Sequence, residues 1–148
     1  MCCWRTKKEG AQSLGRSRGG FSTKIHLATD ALGNVLRFIL TGGERNDITQ
    51  AEQLIENLSA DYVIADKGYD SEALILKLKE QNSEAVIPSR SNHKVQREID
   101  KHLYKERHLI ENQIGKLKHF RRVFSRFDKL AKNYLSFIYF ASTIVWLR

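Results

Sequence analysis

The sequence predicts an α/β fold in which helices flank a mixed sheet, and three patterns support this. Residues 21–29 alternate between two faces, which is typical of a strand with one buried side. Residues 61–66 and 85–88 are short apolar runs of the length expected for inner strands. Between and after these runs lie segments whose apolar residues recur every three to four positions, as in an amphipathic helix. The predicted order is therefore strand, strand, helix, strand, helix, strand, helix, helix.

The first two strands are predicted to form a hairpin. Residues 30–34, DALGN, have turn chemistry, and residues 35–40 are nearly continuously apolar, as in an inner strand. His26 lies within the first strand. We expect a structural or surface role for it rather than metal binding, because no second His or Cys stands at metal-binding spacing.

The middle of the chain alternates helix and strand. Asp47 can cap a helix over residues 48–58, and the next strand, residues 61–66, finishes on the carboxylate of Asp66. Open α/β sheets place their sites at such strand ends, so Asp66 is a candidate functional residue. The alternative is a strand-end residue that caps the following turn. A helix reaching Gln81, the strand at 85–88 and a polar loop at 89–100 follow.

The stretch 104–118, YKERHLIENQIGKLK, reads as an amphipathic helix. At about 100° per residue, one sector of roughly 60° holds the side chains of Tyr104, Arg107, Glu111 and Lys118. One carboxylate beside two cations and a phenol suits a metal-bound phosphate, since Glu supplies hard oxygen and Arg a bidentate fork. The alternative is an ordinary charged helix stabilised by pairs three and four residues apart.

Residues 119–148 combine a basic aromatic segment with an apolar helix. Arg121 and Arg122 alternate with phenylalanines that could stack on nucleic-acid bases, although core packing is the favoured interpretation. A final helix over residues 133–148, apolar nearly all round, is predicted to bury itself against the sheet. The apolar run 134–147 is shorter than the ~20 residues needed to cross a bilayer and contains Ser and Thr, so no membrane span is expected.

Charge is unevenly distributed along the 148 residues. The net charge is +8, and residues 90–132 hold 13 Lys and Arg against 5 Asp and Glu, so the excess lies around the amphipathic helix. Such a basic face is typical of nucleic-acid binding, and a solvated face without a partner is the alternative. Cys2 and Cys3 are adjacent and have no further Cys to pair with, which fits a reducing cytoplasm.

Two motifs resemble those of insertion-sequence transposases of the DDE class, in the group related to IS-five and IS-four. One is the spacing of Tyr104, Arg107, Glu111 and Lys118, and the other is DYVIADKGYDS at residues 61–71. The segment GRSRGGFSTKIH, residues 15–26, is also similar to the run before the second strand of these enzymes. The resemblance implies a ribonuclease H-like catalytic fold that cleaves and joins phosphodiester bonds at insertion-sequence ends and in target DNA.

Carried over by motif, the resemblance implies that Asp66 and Glu111 are the second and third acids of a catalytic, metal-binding triad. They would hold Mg²⁺, with Mn²⁺ as a substitute, in a two-ion site. Tyr104, Arg107 and Lys118 would contact phosphate. We add Arg121 and Arg122 as candidate DNA contacts because they follow this motif in the basic segment.

The first acid of that triad has no counterpart in the sequence. No Asp precedes Asp30, which lies at the hairpin turn, and Asp47 starts a helix. We therefore expect an N-terminally truncated sheet without its first strand and an incomplete two-ion site. Residues 1–20 would be a basic flexible lead-in and residues 21–148 a partial catalytic domain. The unpaired sheet edge favours a homo-oligomer or association with a complementary transposase chain.

Two other functions stay open at this point. A catalytically inactive fragment, either a decayed copy or a second-frame product, could bind DNA or regulate a complete enzyme. A nuclease of the same fold acting on branched or hybrid nucleic acid is disfavoured by the Tyr, Arg, Glu and Lys spacing. All of these functions place the protein in the cytoplasm, at the nucleoid.

Overall fold

The computed structural model describes residues 12–18, 20–93 and 95–147, and it has the α/β character that the sequence predicts. Its strands are β1 (Gly15–Ser17), β2 (Gly20–Thr29), β3 (Val35–Gly42), β4 (Tyr62–Ile64) and β5 (Glu84–Val86). Its α-helices are α1 (Ala51–Ile55), α2 (Glu72–Glu80), α3 (Lys101–Lys105), α4 (His108–Lys118), α5 (Arg121–Phe124) and α6 (Ala131–Trp146). Short 3-10 helices cover Asp47–Gln50 and Lys67–Tyr69.

The strands form two sheets instead of the single mixed sheet that we predicted. Strands β1, β2 and β3 make an antiparallel sheet in that order, and β4 pairs with β5 in parallel. Within the described residues, no strand pairing joins the two sheets. Strand β1 lies in the predicted lead-in 1–20 and carries no carboxylate. Residues 1–11 of that lead-in, with Cys2 and Cys3, lie outside the described residues.

The predicted hairpin of β2 and β3 is confirmed, and Asp30 organises its turn. The Asp30 Oδ1 atom accepts hydrogen bonds from the backbone N–H groups of Leu32 at 2.9 Å and Asn34 at 2.8 Å. Although burial tends to raise the pKa of Asp30, these bonds lower it below its ordinary value. Gly33 adopts a φ of +85°, which suits glycine, and its Cα hydrogen faces Leu109 of α4.

One core lies between the antiparallel sheet and the C-terminal helices. Its buried residues are Phe38, Leu117, Val123, Tyr134, Ile138 and Ala141. The Tyr134 hydroxyl donates to the Val123 carbonyl at 2.7 Å, which ties α6 to α5. The predicted packing of α6 against the sheet is confirmed for one face of the helix, whereas Phe140 is 61 % and Trp146 67 % exposed. Only one face of the helix meets the sheet, and no described element covers the other.

A second core lies beside the parallel sheet and consists of Ala51, Leu74, Leu78 and Ile87. The helix predicted over residues 48–58 is shorter than expected, since it begins as a 3-10 turn and α1 ends at Ile55. Asp47 makes no cap hydrogen bond. Its carboxylate instead pairs with Lys24 of β2, and this pairing draws the start of the 3-10 turn onto the sheet.

The segment predicted as one amphipathic helix is divided into α3 and α4 at Glu106 and Arg107. Asp100 caps α3 by accepting from the backbone N–H groups of His102 at 2.7 Å and Leu103 at 3.1 Å. The backbone N–H of Arg107 bonds the Tyr104 carbonyl at 3.2 Å, so the tight turn keeps the two helices nearly continuous. Among the described residues, no helix is long and apolar enough to cross a bilayer.

Candidate functional site

Three of the four polar residues singled out on the amphipathic helix meet in one row. The Arg107 guanidinium lies 5.6 Å from the centre of the Tyr104 ring, and its terminal nitrogen is 2.8 Å from Glu111 Oε1. Lys118 stands at the other end of α4, exposed, with no contact to this row among the described residues. The row follows from helical spacing, because Arg107 and Glu111 are four residues apart.

Glu111 is accessible despite its ion pair. Its side chain is 56 % exposed, so the pairing with Arg107 is worth little and can be exchanged for another partner. Glu111 also lines a cavity of about 400 Å³ formed with the hairpin turn at Leu32 and Gly33. Lys116 and His119 line the same cavity. The carboxylate therefore faces solvent at the turn end of the hairpin.

Asp66 lies just beyond the carboxyl end of β4, as the sequence predicts. Its Oδ1 atom accepts a hydrogen bond from the Gly68 backbone N–H at 2.8 Å and caps the 3-10 turn Lys67–Tyr69. The side chain is exposed. A Cβ added to Gly68 would lie 2.8 Å from Asp66 Oδ1 and 3.6 Å from Asp47 Oδ2, so both carboxylates flank this turn.

A buried polar cluster next to this turn was missed by sequence reasoning. His26 is 4 % exposed, and its Nε2 atom lies 2.8 Å from the Thr41 hydroxyl. Its Nδ1 atom lies 3.4 Å from the Tyr69 hydroxyl and 3.9 Å from Asp47 Oδ1. The structural role expected of His26 is confirmed, and the cluster connects the hairpin to the turn after Asp66.

Burial and charge shift the titration of this cluster. Burial, followed by the negative charges of Asp47 and Asp66, raises the pKa of Tyr69 to about 12, so its phenol stays protonated. Burial lowers the pKa of His26 below its ordinary value of 6.5, and this outweighs the opposing effect of Asp47. Lys24 adds to the lowering. His26 is therefore held neutral inside the fold.

The His26→Gln variant should lose part of the pH dependence of folding stability. Because the folded pKa of His26 is lowered, the unfolded chain binds the proton more readily, and stability falls as pH drops below 6.5. One proton contributes a slope of at most about 1.4 kcal/mol per pH unit. Urea unfolding between pH 7.5 and roughly pH 5 would measure the slope. The matched control is the exposed His102→Gln, which should keep the wild-type slope; an unchanged slope in His26→Gln would contradict the prediction.

The two candidate metal ligands do not meet. Asp66 lies beside Asp47, toward the open end of the hairpin, whereas Glu111 lies at its turn, and no described contact joins them. Within residues 12–18, 20–93 and 95–147, no three His, Cys, Asp or Glu side chains are grouped to hold a metal. The donors, as arranged, do not fit a two-ion centre.

Arg121 and Arg122 are exposed, and both contact neighbouring side chains. Arg121 lies 5.5 Å from the centre of the Phe127 ring, and Arg122 lies 4.9 Å from that of Phe137. Arg122 also pairs with Asp128 at 2.8 Å. The ring contact leaves the guanidinium edge of Arg121 accessible to a partner, whereas Asp128 already occupies part of the edge of Arg122.

Comparison with known proteins identifies relatives of the chain. A family model described as "Transposase DDE domain" matches residues 3–146. The chain is 38 % identical over 132 residues to a candidate transposase for insertion sequence element IS6501 from Brucella ovis, covering 86 % of this chain and 99 % of that protein. It is 34 % identical over 147 residues to a candidate transposase for insertion sequence element IS402 from Burkholderia cepacia, covering 91 % of this chain and 66 % of that longer protein. No solved structure matches.

Proposed function

Because the chain belongs to the transposase DDE domain family, we propose that it acts in DNA transposition, cleaving phosphodiester bonds at insertion-sequence ends and joining them to target DNA. The observation that carries this proposal is the family match over residues 3–146, which includes both Asp66 and the Tyr104–Lys118 segment. We also propose a ribonuclease H-like arrangement for the catalytic unit. The hairpin of β2 and β3, followed by β4 with Asp66 just beyond its carboxyl end, supports it.

We assign catalytic roles to Asp66 and Glu111 as oxygen ligands of Mg²⁺, with Mn²⁺ as a substitute. A divalent ion held by these carboxylates would supply charge stabilisation for displacement at phosphorus. Two separated carboxylates are too few for a two-ion centre, so we propose that a single chain carries an incomplete site. A second copy of this chain would have to supply further oxygen ligands, which makes self-association part of the proposal.

The residues around Glu111 are suited to hold DNA phosphate. Arg107 already presents its guanidinium edge to a carboxylate, and the same fork fits a phosphate when Glu111 takes another partner. Tyr104 supports the guanidinium from its ring face and can donate its hydroxyl. Lys118 would add a point charge at the end of α4. Arg121 and Arg122 would extend this contact along the strand.

A second candidate is a catalytically inactive DNA-binding or regulatory fragment. The separation of Asp66 from Glu111 favours it, because binding DNA requires only the basic surface and not a complete metal centre. The excess of Lys and Arg in residues 90–132 would serve either function equally. The two candidates therefore differ in cleavage and not in binding.

A plasmid-nicking assay separates them. The purified chain would be incubated with a supercoiled plasmid that carries both flanks of its own coding region, and a plasmid without the flanks is the control. Transposition chemistry predicts nicked circles that require Mg²⁺ or Mn²⁺ and map to the flanks. Salt-sensitive binding without nicking would favour the inactive fragment. Absence of both nicking and binding would overturn the proposed function.

A further inference from the structure

A second basic site lies beside Asp66. It is separate from the row formed by Tyr104, Arg107 and Glu111, which we call the Arg107 row. It surrounds a cavity of about 480 Å³ between β2, the two 3-10 helices and the loop after β5. Its cationic lining residues are Lys24, Lys67 and Arg90, which come from three separate segments of the chain. None of them belongs to the motifs from which the Arg107 row was predicted. We call this the Lys67 cavity.

The Lys67 cavity has a positive lining. Asp47 is its one lining carboxylate, and Lys24 pairs with it at 3.0 Å. Lys67 and Arg90 form no ion pair among the described residues, although the exposed carboxylate of Asp66 lies beside the turn that carries Lys67. The Arg90 guanidinium donates to the carbonyls of Lys67 at 3.3 Å and Gly68 at 3.1 Å, which fixes it but leaves its charge in place. An anion would balance this charge.

The site is also preorganised. The backbone N–H of Arg90 donates to Asp70 Oδ2 at 2.8 Å, and Asp70 is 5 % exposed, so the loop that carries Arg90 is anchored in the fold. Asp66 caps the turn that carries Lys67. Two of the five guanidinium N–H groups of Arg90 are used, and the others are free to bind. A ligand would therefore meet a fixed fork and an adjacent ammonium group.

We propose that the Lys67 cavity binds a backbone phosphate of DNA next to Asp66. The inference rests on the proposed function. The Lys67 cavity would contact the DNA at a second point, separate from the contact made by the Arg107 row. A guanidinium fork with ammonium groups is suited to a phosphodiester, and the lining hydroxyl and amides of Ser91, Asn92 and Asn46 can donate to its oxygens. A phosphate held here would place the neighbouring sugar-phosphate bonds within reach of Asp66.

Lys67→Gln tests the site, because no described contact holds its side chain and folding should be unaffected. The affinity of the full chain for a duplex from its coding-region flank would be measured by fluorescence anisotropy over a range of NaCl. Loss of one phosphate contact should reduce the slope of log Kd against log salt by about one. Lys67→Arg should retain the slope. Lys79→Gln, which removes an exposed lysine from α2 outside the cavity, is the matched control and should behave as wild type.

The outcomes distinguish this site from the function on which it depends. Steep salt dependence in the wild type with an unchanged slope in Lys67→Gln would overturn the Lys67 cavity as a DNA site and leave the proposed function standing. A wild-type chain that does not bind DNA would overturn both. If Lys67→Gln weakened binding of inorganic phosphate and left the DNA slope unchanged, the cavity would be a small-anion site and the DNA assignment would be wrong.

Discussion

Asp66→Asn should nick DNA at least about 100-fold more slowly than the wild type while binding DNA no less tightly. Removing a group that only orients a metal ligand already lowers metal affinity or activity by about 10- to 100-fold. Removing the ligand itself should therefore lower activity further. Asn can still accept the hydrogen bond from the Gly68 N–H, so the turn after β4 should survive. The measurement is the rate of nicked-circle formation in Mg²⁺, with anisotropy as the binding readout.

Glu111→Gln should have the same effect on nicking. It leaves Arg107 without its ion pair, but both side chains are substantially exposed, so the melting temperature should hardly change. Glu106→Gln is the matched control, because Glu106 is an exposed acid only five residues away and lies outside the polar row. Retained nicking in Asp66→Asn or Glu111→Gln would remove that residue from the catalytic assignment. Loss of nicking in Glu106→Gln would point to a general charge effect.

The elements that sequence predicts well are those set by neighbouring residues. The hairpin follows from strand alternation and from the turn chemistry of Asp30 and Gly33, all within one short stretch. The contact of Arg107 with Glu111 follows in the same way from helical spacing. Local patterns fix such contacts because few other chain segments are needed to complete them.

Contacts between distant segments could not be predicted in this way. His26 and Tyr69 are 43 residues apart, and nothing in either local pattern indicates that they meet. The division into two sheets has the same origin, because strand pairing depends on which segments meet in space. The separation of Asp66 from Glu111 is a further example, since each lies in its expected element while their distance depends on how those elements pack.

The two acids of the DKGYD motif show this limit most clearly. Asp66 and Asp70 stand four residues apart in one polar stretch of the sequence. In the structure Asp66 is exposed, whereas the Asp70 side chain is 1 % exposed and binds Arg97, 27 residues further along. The structural role of Asp70 therefore depends on a long-range pairing that its local sequence does not indicate.

Asp70→Ala should lower the free energy of unfolding by about 1–3 kcal/mol, the usual cost of leaving hydrogen-bond donors without their acceptor, because Asp70 is buried while its partner Arg97 is 29 % exposed. Asp70 Oδ1 lies 3.2 Å from an Arg97 terminal nitrogen, and Oδ2 accepts from the Arg90 backbone N–H at 2.8 Å. Without Asp70, the partly buried donors of the loop after β5 lose their acceptor. Urea unfolding at neutral pH measures the loss, and Asp61→Ala, an exposed acid before β4, is the matched control.

The same contacts predict how the folding stability of the wild type changes as the pH is lowered. Burial alone raises the pKa of Asp70, but the bonds from Arg90 and Arg97 outweigh it and lower the pKa below 3.8. The stability from Asp70 is thus complete above pH 3.8 and is lost as pH falls through the lower folded pKa. Asp70→Ala should lack this acid-dependent step.

Because Arg90 is anchored through Asp70, the variant should also weaken phosphate binding in the Lys67 cavity and reduce the salt slope of DNA binding. If Asp70→Ala unfolded like Asp61→Ala, Asp70 would not be what anchors this loop.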